Sequence, residues 1–236
     1  MIKKLYYNTV GDELLSTLRK LMASEVFAQF RIVGGTALSL QRGHRMSVDI
    51  DLFTDDPYGS KDFRTLDNFL QTVFPYMSTN DYAEAGMGKA YFVGENKEKC
   101  IKLDIFYTDS FIEPALIVDG IRMASIGDII AMKMDVISRG GRKKDFWDIH
   151  ELMNEYSFDA MCALHKKRYP FSHDKKLLKT KFTRFTQADE DFGPLCLRGK
   201  HWELIKLDMI EFVQTSPPPT PSSPSRSASA EQGGEG

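Results

Sequence analysis

The chain is poor in the features that would place it outside a cell or in a membrane. Only three cysteines occur in 236 residues, Cys100, Cys162 and Cys196, and they lie far apart. Their odd number and spacing make neither a disulfide framework nor a zinc-ligand pattern, so a reducing cytoplasm is the expected setting. No run approaches the roughly 20 apolar residues that span a bilayer. The opening MIKKLYYNTVGDELL turns polar too soon for a secretory signal. Neither sign of charge dominates. Lys and Arg number 31 and Asp and Glu 33, so the net charge of -2 gives no global nucleic-acid signature.

A hydrophobic share of 42% and an aromatic share of 11% exclude a collagen-like or wholly disordered chain. The length suits one sizeable domain or two modest ones. The expected organisation is an α/β core over residues 1–124, a helical region over 125–215 and a tail over 216–236. The tail reads SPPPTPSSPSRSASAEQGGEG. It holds five prolines, six serines and no aromatic residue. Such a segment buries too little apolar area to offset its chain entropy, so it is expected to be disordered.

Charge is uneven along the chain. Residues 1–138 carry 15 basic and 19 acidic side chains, whereas residues 139–184 carry 12 and 6. The second stretch holds Arg139, Arg142, Lys143 and Lys144, then Lys166, Lys167 and Arg168, then Lys175, Lys176, Lys179, Lys181 and Arg184. It suits either a solvated helical face or a footprint for RNA or nucleotide phosphates.

Periodicity predicts a helix over 11–28, a short strand over Phe30–Val33 and a helix opening at Thr36. Val48–Phe53 and Ile101–Phe106 alternate as strands, with weaker candidates at Tyr91–Val93 and Leu116–Val118. Asp119-Gly120 is a hairpin signal between Leu116–Val118 and Ile121–Met123. Helical patterns over 125–138 and 143–156 follow, broken by Gly140-Gly141.

The chemistry concentrates in two strands. In Val48–Phe53, alternation puts Asp49 and Asp51 on one face and Val48, Ile50 and Leu52 on the other. Adjacent carboxylates repel, and a cation between them relieves this; hard oxygen ligands suit Mg²⁺ or Mn²⁺. In Ile101–Phe106, Asp104 lies opposite Ile101, Leu103 and Ile105, beside Lys102. If the strands are neighbours, Asp104 joins Asp49 and Asp51, and three carboxylates could hold two divalent ions. Ser47 is two residues before Asp49 and would share its face, as a phosphate contact, a modification target or a simple strand-start hydroxyl. Gly34-Gly35 lies between a strand and a helix, where backbone N–H groups attract phosphate oxygens. Thr36 either adds a hydroxyl there or caps the helix.

The order Val33-Gly34-Gly35, thirteen residues, then Asp49-Ile50-Asp51-Leu52 resembles the signature of the DNA polymerase β-like nucleotidyltransferase superfamily. The wording GGTALSLQRGHRMSVDIDLF is similar to AbiEii/AbiGii-type toxin nucleotidyltransferases of bacteria. Their later motif is matched by Lys133 and by Lys144-Asp145-Phe-Trp-Asp148-Ile149, with Ile149 where Leu is common. The resemblance covers residues 29–155.

It implies an α+β fold, with a mixed sheet, flanking helices and a helical C-terminal region. It also implies transfer of a nucleoside monophosphate from an NTP to a hydroxyl of RNA, tRNA in particular, or of protein. The chain would be the toxin of a toxin–antitoxin or abortive-infection pair, with a cognate antitoxin as partner. Asp49 and Asp51 would bind metal, and Asp104 would orient or deprotonate the attacking hydroxyl. Gly34, Gly35 and Arg45 would hold triphosphate, Lys133 would contact the phosphates, and Asp145 would belong to the active site. By spacing, Asp145 and Asp148 share a helix face and either orient Lys133 or pair with Arg142, Lys143 or Lys144. Two rivals stand beside this reading: a small-molecule nucleotidyltransferase of the antibiotic-modifying type, and a non-catalytic nucleotide- or RNA-binding module.

Overall fold

The computed structural model describes residues 4–79 and 86–215. The Pro/Ser-rich segment expected to be a disordered tail lies outside the described residues.

The fold is α+β, built on one mixed sheet of seven strands. The strands are β1 (Arg31–Ile32), β2 (Asp49–Thr54), β3 (Tyr76–Thr79), β4 (Gly88–Gly94), β5 (Cys100–Tyr107), β6 (Leu116–Val118) and β7 (Ile121–Met123). Their order is β3-β4-β5-β2-β1-β7-β6. β2 runs parallel to β5 and antiparallel to β1. In both β2 and β5 the alternation is kept. Ile50 and Leu52, with Leu103 and Ile105, are fully buried on one side, and the acidic residues turn to the other.

The helices preceding the last sheet strands are α1 (Asp12–Met22), α2 (Gly34–Arg42) and α3 (Phe63–Val73). α1 stops six residues short of the predicted end. Ser24 instead caps a 3-10 turn over Glu25–Phe27, accepting a hydrogen bond from the Val26 N–H. α1 then packs on β2, β5 and β7 through Leu14, Leu18 and Leu21. α3 and β3 were not anticipated. The α3 signal was nonetheless present, since Asp62 caps it and Phe63, Leu66 and Leu70 bury one face.

Val48 departs from expectation: it is 68% exposed and lies outside β2. The preceding segment pairs elsewhere. Arg45 bridges to Cys196, the Met46 N–H donates to the Leu195 carbonyl, and the Ser47 N–H donates to the Thr9 carbonyl. These bonds fix the chain before the strand begins at Asp49.

From Ile126 onward the described chain is mainly helical: α4 (Ile126–Ser138), α5 (Lys143–Leu152), α6 (Phe158–Arg168), α7 (Lys175–Phe182), α8 (Thr186–Asp189) and α9 (Trp202–Gln214). α4 is the hub, in contact with α2, α5, α6 and α7. α6 is tied to it by an ion pair with no solvent exposure, Arg168 to Asp128 at 3.1 Å. Trp147 and Trp202 stack 6.4 Å apart, as packing anchors between α5 and α9. Among the described residues no helix is long and apolar enough to cross a membrane.

Candidate active site

Parallel register makes Asp51 and Asp104 direct partners across β2 and β5, so both carboxylates rise from the same face of the sheet. Asp49 lies on that face one step earlier in β2, opposite Lys102. Burial, and then the nearby Asp104 charge, push the Asp51 carboxyl up to about 6. Phe53 and Phe106, the next outward pair, continue the face with rings 6.0 Å apart.

The diglycine sits in the first turn of α2, directly after the Val33 N-cap. Gly34 has a φ of +64°, and a Cβ there would stand 2.8 Å from Asp51 Oδ2. Glycine is therefore required twice over, by the backbone angle and by the approach of the carboxylate. A Cβ on Gly35 would collide with the Arg45 guanidinium.

Thr36 and Ser47 do not line open space. Both are buried, their hydroxyls lie 2.8 Å apart, and the Thr36 hydroxyl also donates to the Asp49 carbonyl. They fasten the helix start to the strand start. Thr36 is thus neither a helix cap nor an exposed phosphate ligand.

Behind the carboxylates lies a buried charge cluster. Lys133, on α4, is 6% exposed. Its Nζ lies 2.6 Å from Asp145 Oδ1 and 2.7 Å from Asp148 Oδ2, both on α5. Burial would lower its pKa, but Asp148 and Asp145 outweigh that and raise it, so the ammonium stays charged. Asp145 makes both of the contacts weighed for it: Oδ1 meets Lys133, and Oδ2 lies 3.6 Å from Arg142 Nε while also accepting from the Arg142 backbone N–H at 3.0 Å.

Arg45 corrects an expectation. Its Nε and Nη2 bind the two oxygens of Asp148 at 2.6 and 2.8 Å, and its Nη1 donates to the Met46 carbonyl. The guanidinium is committed to the protein and is 3% exposed, so it does not present a free fork for triphosphate. His44 completes the cluster, with Nε2 2.8 Å from Asp148 Oδ1. The Arg45–Asp148 bond spans 103 residues, and no local spacing signals it.

Two further lysines reach the carboxylates. Lys102 pairs with Asp104, and Lys144 Nζ lies 3.6 Å from Asp49 Oδ2. Among the described residues no three acidic, His or Cys side chains form a preassembled metal cage. The expected convergence of three carboxylates on ions is thus not preformed, and Asp49 and Asp104 each have a lysine beside them instead. The donor set still suits a hard divalent cation. Asp104 Oδ1 is buried without a hydrogen-bond partner, and Mg²⁺ commonly takes only one or two carboxylates together with substrate phosphates.

On the same side, a cleft of 570 Å³ begins at Phe53 and runs past Met132 and Val136 of α4 to Arg139. Several basic side chains once grouped together are structural. Arg168 is buried on Asp128, and Lys143 donates to the Asp191 carbonyl.

Comparisons with known proteins bear on the family and the fold. A family model described as nucleotidyl transferase AbiEii toxin, type IV TA system, matches residues 16–228. That extends well beyond the 29–155 expected from the motifs. An uncharacterized protein of Aquifex aeolicus, aq_aa25, is 30% identical over 169 residues, covering 66% of this chain and 74% of the relative. Among solved structures, JHP933 from Helicobacter pylori superposes with a TM-score of 0.54 at 21% identity, over 87% of this chain and 92% of that one. MenT4, the nucleotidyltransferase toxin Rv2826c of Mycobacterium tuberculosis, superposes at 0.52 and 12% identity, over 85% and 83%. At those identities the two structures speak for the fold.

Proposed function

The chain belongs to the AbiEii nucleotidyltransferase toxin family of type IV toxin–antitoxin systems, and from that premise we propose that it transfers a nucleoside monophosphate from an NTP to a hydroxyl of RNA, tRNA foremost. The observation that carries the reading is the register of Asp51 against Asp104 on the face that meets the first turn of α2.

In this reading Asp49 and Asp51 would hold a divalent metal, and Asp104 orients the acceptor hydroxyl and takes its proton. The hydroxyl oxygen bonds to the α-phosphorus, the bond to the β-phosphate oxygen breaks, and pyrophosphate leaves. A bound Mg²⁺ or Mn²⁺ would supply charge neutralisation on the phosphates. The N–H groups at the start of α2, beside Gly34 and Gly35, hold phosphate oxygens. Lys133 has three donors, two of them spent on Asp145 and Asp148, which leaves one for a phosphate. Arg45 and Asp148 act through Lys133 by holding it in place. Family membership carries an antitoxin partner with it, and the cytoplasm is the setting this chemistry needs.

The test is incubation with each NTP labelled at the α-phosphate, Mg²⁺ and total cellular RNA, followed by electrophoresis. A labelled tRNA band is expected. Label on protein would move the acceptor, and label on nothing, with any NTP, would overturn the reading.

A further inference from the structure

A second cleft, of 390 Å³, opens where α4 ends against α7 and α8. Arg139, Lys181, Arg184 and Gln187 line it, with Glu190 as the acid of the lining. Lys181 and Arg184 have no carboxylate partner among the described residues, and Arg139 keeps only Asp135 at the exposed rim. Three cations against one acid leave the lining net positive, and a polyanion relieves their mutual repulsion.

The cleft does not stand alone. Arg139 also forms the far wall of the 570 Å³ cleft that begins at Phe53, two residues along β2 from Asp51. That larger cleft is lined by the rings of Phe53, Tyr58 and Tyr169 and by Met132, and it also carries the carboxylates Asp56, Asp109 and Asp135, which suit a neutral base there better than a phosphate. From Phe53 the lining therefore offers aromatic rings first, and the cations Lys181 and Arg184 lie beyond Arg139 in the second cleft. Aromatic rings beside a cationic track are how single-stranded nucleic acid is bound, through base stacking and phosphate contacts. An acidic polypeptide would use the cations and leave the rings without a partner.

We propose that the Arg139/Lys181/Arg184 cleft binds the phosphodiester backbone of a single-stranded RNA end, whose terminal base stacks in the adjoining aromatic cleft with its hydroxyl towards Asp104. This rests on the nucleotidyltransferase reading for the direction of the strand, and adds the surface that selects the acceptor.

The test is binding of a fluorescein-labelled single-stranded oligoribonucleotide to the full chain, followed by anisotropy over a salt series without NTP. The doubly reversed variant, Lys181→Glu with Arg184→Glu, is expected to bind at least about tenfold more weakly. The slope of log affinity against log salt should fall by about 1.4, since each lost single-strand phosphate contact removes about 0.7. Lys176→Glu with Lys179→Glu changes the same net charge on α7 outside the cleft lining and is expected to lose clearly less. Equal losses in the two variants, or unchanged affinity and slope, would overturn the proposal. So would displacement of the RNA by a poly-glutamate peptide at the same charge concentration, which would assign the cleft to an acidic protein. Failure is separable from failure of the function: RNA binding that depends on the cleft without any nucleotide transfer would sink only the latter.

Discussion

Lys133 and Asp148 meet 2.7 Å apart inside the protein, and Arg45 grips the same carboxylate from the other side. Two cations on one buried anion, with Asp145 adding the second negative charge, make a cluster whose members are costly to remove singly. Arg45→Ala and Asp148→Asn are each expected to cost about 3–5 kcal/mol, because each leaves an uncompensated buried charge. Urea denaturation checks this. A loss below about 1 kcal/mol would mean that water reaches the cluster.

The same cluster sets the response to acid. Burial pulls the Asp148 carboxyl upward, but Arg45 and then Lys133 and His44 outweigh it and hold it well below the usual carboxylate range. Asp145 is lowered too, against its own burial, chiefly by Lys133. Depressed carboxylates contribute stability that is complete above their unfolded values near pH ~4 and is lost as pH falls through the folded ones. Unfolding free energy should therefore decline steeply below about pH 4. Asp148→Asn should start lower and decline less steeply; an unchanged acid slope would contradict the assignment.

Lys144 Nζ lies 3.6 Å from Asp49 Oδ2, where it would compete with a divalent cation for that carboxylate. Exposed pairs of this kind are worth about 0.2–1 kcal/mol. Lys144→Met should therefore tighten Mn²⁺ binding, measured calorimetrically without nucleotide, by up to about fivefold. Weaker binding would show that Lys144 instead presents Asp49 to the ion.

Gly34→Ala places a methyl group 2.8 Å from Asp51 Oδ2 on a backbone with φ of +64°. A stability loss of about 1–2 kcal/mol is expected from the left-handed angle. Transfer should fall by far more than stability accounts for, because Asp51 must move. A melting shift with full activity would show that the helix start tolerates displacement.

The parts that were legible in the sequence are those governed by local periodicity or turn chemistry. Ile50 and Leu52 against Asp49 and Asp51 write the faces of β2 in a period of two, and Leu103 and Ile105 do so for β5. Asp119-Gly120 predicts its hairpin because both residues take positive φ there, 50° and 76°. What stayed hidden depends on distant partners. Nothing near Arg45 tells that its guanidinium will be spent on a carboxylate far along the chain rather than on substrate. Nothing near Val48 tells that the segment before it will pair with residues around Cys196. β3 was silent for a different reason: all four of its residues are half-buried at the sheet edge, so no alternation marks them.

The most direct test is pyrophosphate release from NTP and RNA by the wild type, Asp51→Asn and Asp104→Asn, each confirmed folded by circular dichroism. The account predicts release by the wild type and a fall of about a thousandfold or more in both variants, since several kcal/mol of charge stabilisation are removed without change of shape. A folded Asp104→Asn protein that releases pyrophosphate at the wild-type rate would contradict it.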